Sequence, residues 1–128
     1  MTTLYGISSC DTVRKARNWL NAHGIAFRYH DLRQQGLSAD QLARWCACVG
    51  LETLLNKRSS SWRQLPAEAR ATTDPAALQQ LMVAQPTLIK RPVLELDDGR
   101  IEVGFGDTDY AALFAATAPP LSMNATTE

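Results

Sequence analysis

The sequence predicts an α/β fold built on a four-stranded mixed sheet with an inserted helical segment. Two observations support this prediction. A strand–helix–strand pattern opens the chain, and a strand–strand–helix pattern closes it, while residues 34–85 between them have mainly helical periodicity. A short βαβ unit makes its two strands parallel, and a hairpin paired beside them makes the sheet mixed.

The opening unit is visible in the spacing of its apolar residues. Thr3 to Ile7 is a short, almost wholly apolar run, which is typical of a strand buried on both faces. A helix is predicted from Asp11, and Gly24 is suited to follow its last turn. Apolar and polar residues then alternate over 25–29, which predicts the second strand. The inward positions of the helix share a spacing of three to four residues: Val13, Ala16 and Leu20.

The inserted segment contains two clear helix starts. Ser38 is placed to cap one helix, with Gln41 three residues later as in a capping box, and Gly50 is placed to end it. Asp74 followed by Pro75 marks another start, because Asp is a good N-cap and proline is tolerated in the first turn.

The last third of the chain returns to strands. Residues 92–96 and 101–105 flank the turn pair Asp98-Gly99, which is a strong hairpin signal, and Asp107 is placed to cap a final helix. We therefore expect one thioredoxin-like domain over residues 1–117, with 118–128 as a flexible tail.

Composition excludes several classes of function. The chain has 128 residues with 13 basic and 13 acidic side chains, so no overall charge would attract nucleic acid or an anionic membrane. It begins without the pattern of a secretory signal, and no apolar run approaches the roughly 20 residues of a membrane span. Three cysteines make a poor disulfide framework, which favours a cytoplasmic location where thiols stay reduced.

Cys10 is the candidate catalytic residue because it stands where the first strand ends and the first helix begins. Unpaired backbone N–H groups and the helix dipole favour an anion there, and the thiolate is the nucleophilic form of cysteine. Arg14, one turn later, is placed to add positive charge. Asp11 opposes this effect if its carboxylate turns towards the thiol, and has little influence if it points to solvent.

The remaining cysteines offer no second thiol next to Cys10. The fourth position of a CxxC motif is occupied by Val13, so a disulfide at Cys10 must be resolved by glutathione, by another protein's thiol or by a distant cysteine. Cys46 lies on an apolar stripe, and Cys48 lies on nearly the opposite side of the same helix. The two histidines have no ligand spacing, so no metal site is predicted.

Two basic segments are further candidates. Lys57 and Arg58 precede a serine run and are read either as a solvated loop or as part of the site. Arg91 precedes Pro92, which either simply opens a strand or, in a thioredoxin-like fold, brings Arg91 beside the helix-start cysteine.

Four motifs together resemble the arsenate reductase-like family, which includes the ArsC reductases, the Spx regulators and the YffB proteins. The motifs YGISSCDTVRKA, KRSSSWR, KRPVLEL and VGFGDTDY occur in the family's order, and the first and last look particularly like the YffB branch. The resemblance implies a thioredoxin-like fold with a helical insertion and a catalytic thiol at Cys10. It also implies basic contacts from Arg14, Arg58 and Arg91, with Pro92 in the cis form.

Three functions follow from this resemblance. The first is a monothiol reductase with glutathione as co-substrate and no bound cofactor, since arginines suit the two carboxylates of glutathione. The second is an Spx-like regulator that binds an RNA polymerase subunit, with 50–55 as the surface to inspect. Arsenate reduction ranks last, because Gly104 stands where such a reductase carries a further arginine.

Overall fold

The computed structural model describes the backbone of residues 2–117 and the side chains of residues 2–115. Its centre is a four-stranded sheet in the order β2-β1-β3-β4, with β1 and β2 parallel and the other pairs antiparallel. This is the predicted mixed sheet, and the tail predicted over 118–128 lies outside the described residues. The strands are β1 (Thr3–Gly6), β2 (Arg28–Asp31), β3 (Val93–Glu95) and β4 (Ile101–Val103).

Helices surround the sheet, and six of them lie between β2 and β3. A 3₁₀ turn over Pro86–Leu88 completes this insertion. The helices are α1 (Asp11–Ala22), α2 (Leu32–Gln35), α3 (Ala39–Val49), α4 (Leu51–Leu54), α5 (Ser60–Arg63), α6 (Ala67–Arg70), α7 (Pro75–Ala84) and α8 (Asp107–Thr117).

The two helix starts predicted in the insertion are confirmed by their capping contacts, whereas Asp107 is the first residue of α8 and Gly106 precedes it as the N-cap. Ser38 Oγ accepts a hydrogen bond from the Gln41 amide, and an Asp74 carboxylate oxygen accepts one from the Ala76 amide. These bonds satisfy amides that the helix itself leaves unpaired.

The second strand begins later than its alternating pattern predicted. Ile25 instead donates its amide to the Leu20 carbonyl and closes the end of α1, so only Arg28–Asp31 forms the strand. The Arg28 amide donates to Thr2 O, and this bond sets the register of β2 along β1. Pairing with β1 therefore decides where β2 starts, because alternation alone does not specify the partner.

The sheet separates two apolar clusters, one on each face. Leu4 points into the cluster under α1 and α8, whereas its neighbour Tyr5 points into the cluster under the insertion. Trp45 and Met82 are fully buried in the insertion cluster, so α3 and α7 are fixed against the sheet by their apolar faces.

Glu95 fastens the insertion to the sheet through polar contacts. Its Oε1 accepts hydrogen bonds from Tyr5 Oη at 3.4 Å and Trp45 Nε1 at 3.3 Å, while Oε2 lies 3.3 Å from Arg44 Nη2. Tyr5 Oη also accepts from the Gln41 side chain, so the buried polar groups of this interface are partnered. The insertion is thereby held in a fixed position relative to β1 and β3.

Candidate active site at the start of the first helix

Cys10 occupies the N-cap position of α1 at the carboxyl end of β1. Its amide donates to the Ile7 carbonyl at 3.0 Å, and its own carbonyl accepts from the Arg14 amide at 3.1 Å. The backbone is extended there, with φ −87° and ψ 125°, and the side chain is half-buried. The first turn of α1 and the preceding tight turn thus fix the thiol at the helix start while leaving it accessible.

Gly6 allows β1 to approach α1 closely just before this turn. A Cβ at position 6 would lie 2.6 Å from Val13 Cγ2 and 2.7 Å from Val13 Cγ1, closer than real carbon atoms pack. Only glycine fits this position without displacing the first turn of α1. The strand and the helix that flank Cys10 are therefore in direct contact beneath it.

The surroundings of Cys10 favour its thiolate form. Burial raises the pKa of the Cys10 thiol, but the N–H groups of Val13 and Thr12 and the Arg91 guanidinium lower it by more, so the net pKa shift is downward. The Cys10 side chain makes no cap hydrogen bond of ordinary geometry. The Val13 and Thr12 amides and the Arg91 guanidinium nevertheless stabilise the charged sulfur, at the helix start, where anions are favoured.

Arg91 reaches Cys10 from the start of β3. The Arg91–Pro92 peptide bond is cis, as the sequence resemblance implied, and Pro92 is buried. Arg91 Nη1 donates to the Thr87 carbonyl at 3.0 Å, which orients the guanidinium. Its Nε is buried and has no partner of ordinary hydrogen-bond geometry among the described residues, which leaves a donor near the thiol.

Arg14 forms an ion pair with Asp11 and is not among the groups that lower the Cys10 pKa. Its Nη2 pairs with Asp11 Oδ1 in the exposed first turn of α1, where the side chains are 63% and 76% exposed. Asp11 therefore points to solvent, where its effect on Cys10 is weak. Arg14 neutralises this carboxylate, and the arginine that directly lowers the Cys10 pKa is Arg91.

Arg58 is brought to the same region by contacts between the insertion and the segment before β3. Leu55 and Ile89 form an isolated antiparallel bridge. On either side of it, the Asn56 amide donates to the Leu88 carbonyl at 2.8 Å and the Lys90 amide donates to the Leu54 carbonyl at 2.7 Å. The bridge sets the two basic pairs of the sequence, 57–58 and 90–91, along one cleft.

This cleft is large and carries an excess of positive charge. Its volume is about 1220 Å³, and its charged lining residues are four cations and one acid: Lys57, Arg58, Lys90, Arg91 and Glu52. Gly104 also lines it, with φ +85° and no atom within 4 Å of the place a Cβ would take. Arg91 lines the cleft and also interacts with Cys10, so it links the cleft to the thiol.

Two residues at the end of β2 were missed by sequence reasoning. Asp31 is 7% exposed and accepts a hydrogen bond from the Ser8 amide in the Cys10 loop. Tyr29 has a buried hydroxyl without a hydrogen-bond partner among the described residues, and the Arg17 guanidinium lies 4.2 Å from its ring centroid. Burial, Asp31 and Cys10 raise the Tyr29 pKa, while Arg17 lowers it, and the net shift is upward.

The other two cysteines lie in the insertion. Cys46 packs against the insertion cluster, where burial raises its pKa, and Cys48 is exposed on the same helix. Within the part of the chain that the structure describes, no group of three or more potential metal ligands is present. In residues 2–117, no helix is long and apolar enough to cross a membrane.

Known proteins resemble nearly the whole length of this chain in sequence. Residues 5–113 match the model of the ArsC family. An uncharacterised protein of Haemophilus influenzae is 41% identical over 115 residues, which cover 90% of this chain and 100% of that protein. The global transcriptional regulator Spx of Streptococcus mutans is 31% identical over 114 residues, covering 88% of this chain and 82% of Spx.

Solved structures agree with the sequence matches. A protein named YFFB superimposes with a TM-score of 0.83 at 46% identity, covering 88% of this chain and 97% of that one. An arsenate reductase-related protein of Brucella melitensis gives a TM-score of 0.70 at 46% identity, covering 88% and 93%. The arsenate reductase of Vibrio cholerae shares the fold, with a TM-score of 0.76 at 18% identity and coverage of 87% and 95%.

These matches confirm the thioredoxin-like fold and the predicted family. Identity is 46% with the YFFB protein and 31% with the Spx regulator, so the resemblance to the YffB branch is also confirmed. The chain belongs to the ArsC family.

Proposed function

We propose that this chain is a monothiol thiol–disulfide reductase that uses glutathione and acts through a mixed disulfide at Cys10. The observation that carries the proposal is the position of Cys10 between the amides of α1 and the Arg91 guanidinium, which lower its pKa. A thiolate held in this way is prepared both to attack a disulfide and to leave one.

The basic cleft supports glutathione as the co-substrate. Glutathione carries two carboxylates, and Arg58 and Arg91 present planar guanidinium groups that can bind carboxylates in pairs. Both arginines line the cleft, and Arg91 also contacts the thiol. A tripeptide with a carboxylate bound to Arg91 would lie next to the residue that contacts Cys10.

The proposed reaction has two exchange steps. The Cys10 thiolate attacks one sulfur of the substrate disulfide, the substrate S–S bond breaks, and the second sulfur leaves as a thiolate that takes a proton from water. A glutathione thiolate then attacks the sulfur bound to Cys10, so that Cys10 leaves as a thiolate and glutathione ends in a disulfide. When the substrate is a glutathione mixed disulfide attacked at its glutathione sulfur, the products are the free substrate thiol and oxidised glutathione, so glutathione supplies the electrons and no second protein thiol is required.

The test is to treat the wild-type chain and Cys10→Ser with oxidised glutathione and map the adducts by mass spectrometry. The wild type should gain one glutathione on Cys10, and reduced glutathione should remove it. Turnover of a mixed-disulfide substrate should consume glutathione with the wild type and not with Cys10→Ser. An adduct confined to Cys48, or equal turnover in the two proteins, would contradict the proposal.

A second candidate function is regulation through RNA polymerase, as the name of the Spx relatives suggests. The observation that favours it is the 31% identity with the Streptococcus mutans regulator, together with the exposed residues Gly50, Glu52 and Thr53 at the cleft. A stable complex with a polymerase subunit in the absence of glutathione would support it. Arsenate reduction has less support, because Gly104 leaves the cleft without the arginine expected there.

A further inference from the structure

We propose that Asp31 is a positioning residue for Cys10, acting through the backbone of the loop that precedes the thiol. The inference rests on the proposed role of Cys10 as the reacting thiol. Asp31 lies at the end of β2, opposite Gly6 in the parallel ladder, and thus beside the point where the chain leaves β1 for the Cys10 turn. It reaches this loop through a hydrogen bond from the Ser8 amide.

The two carboxylate oxygens of Asp31 accept hydrogen bonds from different segments of the chain. Oδ1 accepts hydrogen bonds from the amides of Arg33 at 2.9 Å and Gln34 at 3.0 Å, which caps α2. Oδ2 accepts from the Ser8 amide at 3.4 Å. One buried carboxylate therefore joins the start of α2 to the loop that carries the thiol.

The negative charge of the Asp31 carboxylate strengthens its hydrogen bond with the Ser8 amide. Burial raises the Asp31 pKa, but the amides of Gln34, Ser8 and Arg33 and the Arg33 guanidinium lower it by more, so the pKa shifts downward and the group is ionised near neutral pH. Hydrogen bonds to an ionised acceptor are roughly twice as strong as neutral ones. The other titratable group of β2 that interacts with it is Tyr29, which also interacts with Arg17 and Cys10.

The hydrogen bond from the Ser8 amide to Asp31, here called the Ser8 anchor, limits how the Cys10 turn can move. Within that turn, the Cys10 amide is bound to the Ile7 carbonyl, so Ser8 and Ser9 lie between two fixed points. Ser8 and Ser9 are themselves exposed, and within residues 2–117 the Ser8 amide donates its hydrogen bond to Asp31. Loss of the anchor would let the sulfur move away from the Thr12 and Val13 amides that stabilise its charge.

The substitution Asp31→Asn separates the anchor from the cap. Asparagine keeps one acceptor oxygen, which can still cap α2, but presents an NH₂ donor to the Ser8 amide, which is also a donor. Asp31→Ala removes both contacts. Asp74→Ala is the matched control, because it removes the N-cap contact of α7 in the insertion and leaves the Ser8 contact intact.

The measurement is the rate of iodoacetamide alkylation of the Cys10 peptide as a function of pH, read by mass spectrometry so that Cys46 and Cys48 do not interfere. Asp31→Asn and Asp31→Ala should raise the pH midpoint of Cys10 alkylation by about one unit. At pH values below the wild-type midpoint, alkylation should therefore be about tenfold slower than in the wild type. Exchange of the Ser8 amide with deuterium should become faster in both variants. Asp74→Ala should match the wild type in both readouts.

A Cys10 midpoint that does not rise in the Asp31 variants would contradict the proposal. Loss of the Asp31 charge alone would lower the Cys10 pKa, so a midpoint in Asp31→Asn at or below the wild-type value would overturn the proposal and leave Asp31 as a helix cap. If Asp31→Ala does not fold, Asp31→Asn decides the question. Alkylation needs no glutathione, so this test can fail or succeed independently of the proposed reductase activity.

Discussion

Arg14 forms its ion pair with Asp11 in the exposed first turn of α1, and neither side chain is among the groups that shift the Cys10 pKa. The pair explains how an acidic residue is tolerated directly after a cysteine whose pKa is lowered. The Asp11 charge is balanced by its neighbour and screened by water, so it has little effect on the thiolate.

Substitutions in this pair should therefore have small effects. Asp11→Asn should slightly speed Cys10 alkylation at neutral pH and Arg14→Ala should slightly slow it, each by less than about threefold, because exposed pairs are worth about 0–1 kcal/mol. The differences should shrink as salt is added. A tenfold or larger effect of Arg14→Ala at high salt would show that Arg14 acts directly on the thiolate.

Arg91→Ala should have a larger effect, because Arg91 is the arginine beside the sulfur. We expect the Cys10 pKa to rise and alkylation at neutral pH to slow by about three- to tenfold, since hydrogen bonds to charged groups contribute about 1.5–3 kcal/mol and this one is partly exposed. Circular dichroism should show that the fold is retained.

Arg58→Ala is the matched control for Arg91. Arg58 lines the cleft but is not among the groups that lower the Cys10 pKa, so this variant should alkylate like the wild type. It should nevertheless form the glutathione adduct more slowly, because one carboxylate ligand is lost. Identical adduct rates in Arg58→Ala and the wild type would remove Arg58 from the glutathione site.

Gly6→Ala tests the contact between β1 and α1. The new methyl group would overlap the Val13 side chain, so we expect a loss of about 1–3 kcal/mol in the free energy of unfolding measured with urea. Cys10 alkylation should slow as the first turn of α1 is displaced. The double variant Gly6→Ala with Val13→Ala restores the space, and a loss equal to the sum of the single losses would contradict this explanation.

Stability should depend on pH through Cys10 in a defined direction. The folded pKa of Cys10 is lowered, so between that value and the unfolded pKa of about 8.5 the unfolded chain binds more protons. The stability advantage of the wild type over Cys10→Ser should therefore be fully present above about pH 8.5. It should be lost as pH falls through the folded pKa, as measured by urea unfolding under reducing conditions.

Features encoded by neighbouring residues could be predicted from sequence. The caps at Ser38 and Asp74 and the hairpin at Asp98-Gly99 depend on side chains and amides within a few residues of each other. The same locality explains why Cys10 was recognised, since the strand end and the helix start lie on either side of it in the chain.

Contacts between distant segments could not be predicted in the same way. Alternation placed β2 too early, because its register is set by pairing with β1 and by the bond to Thr2 just before β1. Spacing predicted that Arg14 would add positive charge near Cys10, but its side chain forms an ion pair with Asp11. Asp31 was missed because its contact with Ser8 joins residues 23 apart, and no local pattern records such a contact.

The reaction assigned to this chain depends on a reachable thiolate at the start of α1. The most direct measurement is the pH dependence of Cys10 alkylation in the intact protein, followed on the Cys10 peptide with Cys10→Ser as the blank. A midpoint clearly below the free-thiol value of about 8.5 is the expected result. A midpoint at or above that value, or a Cys10 that reacts only after unfolding, would contradict the account.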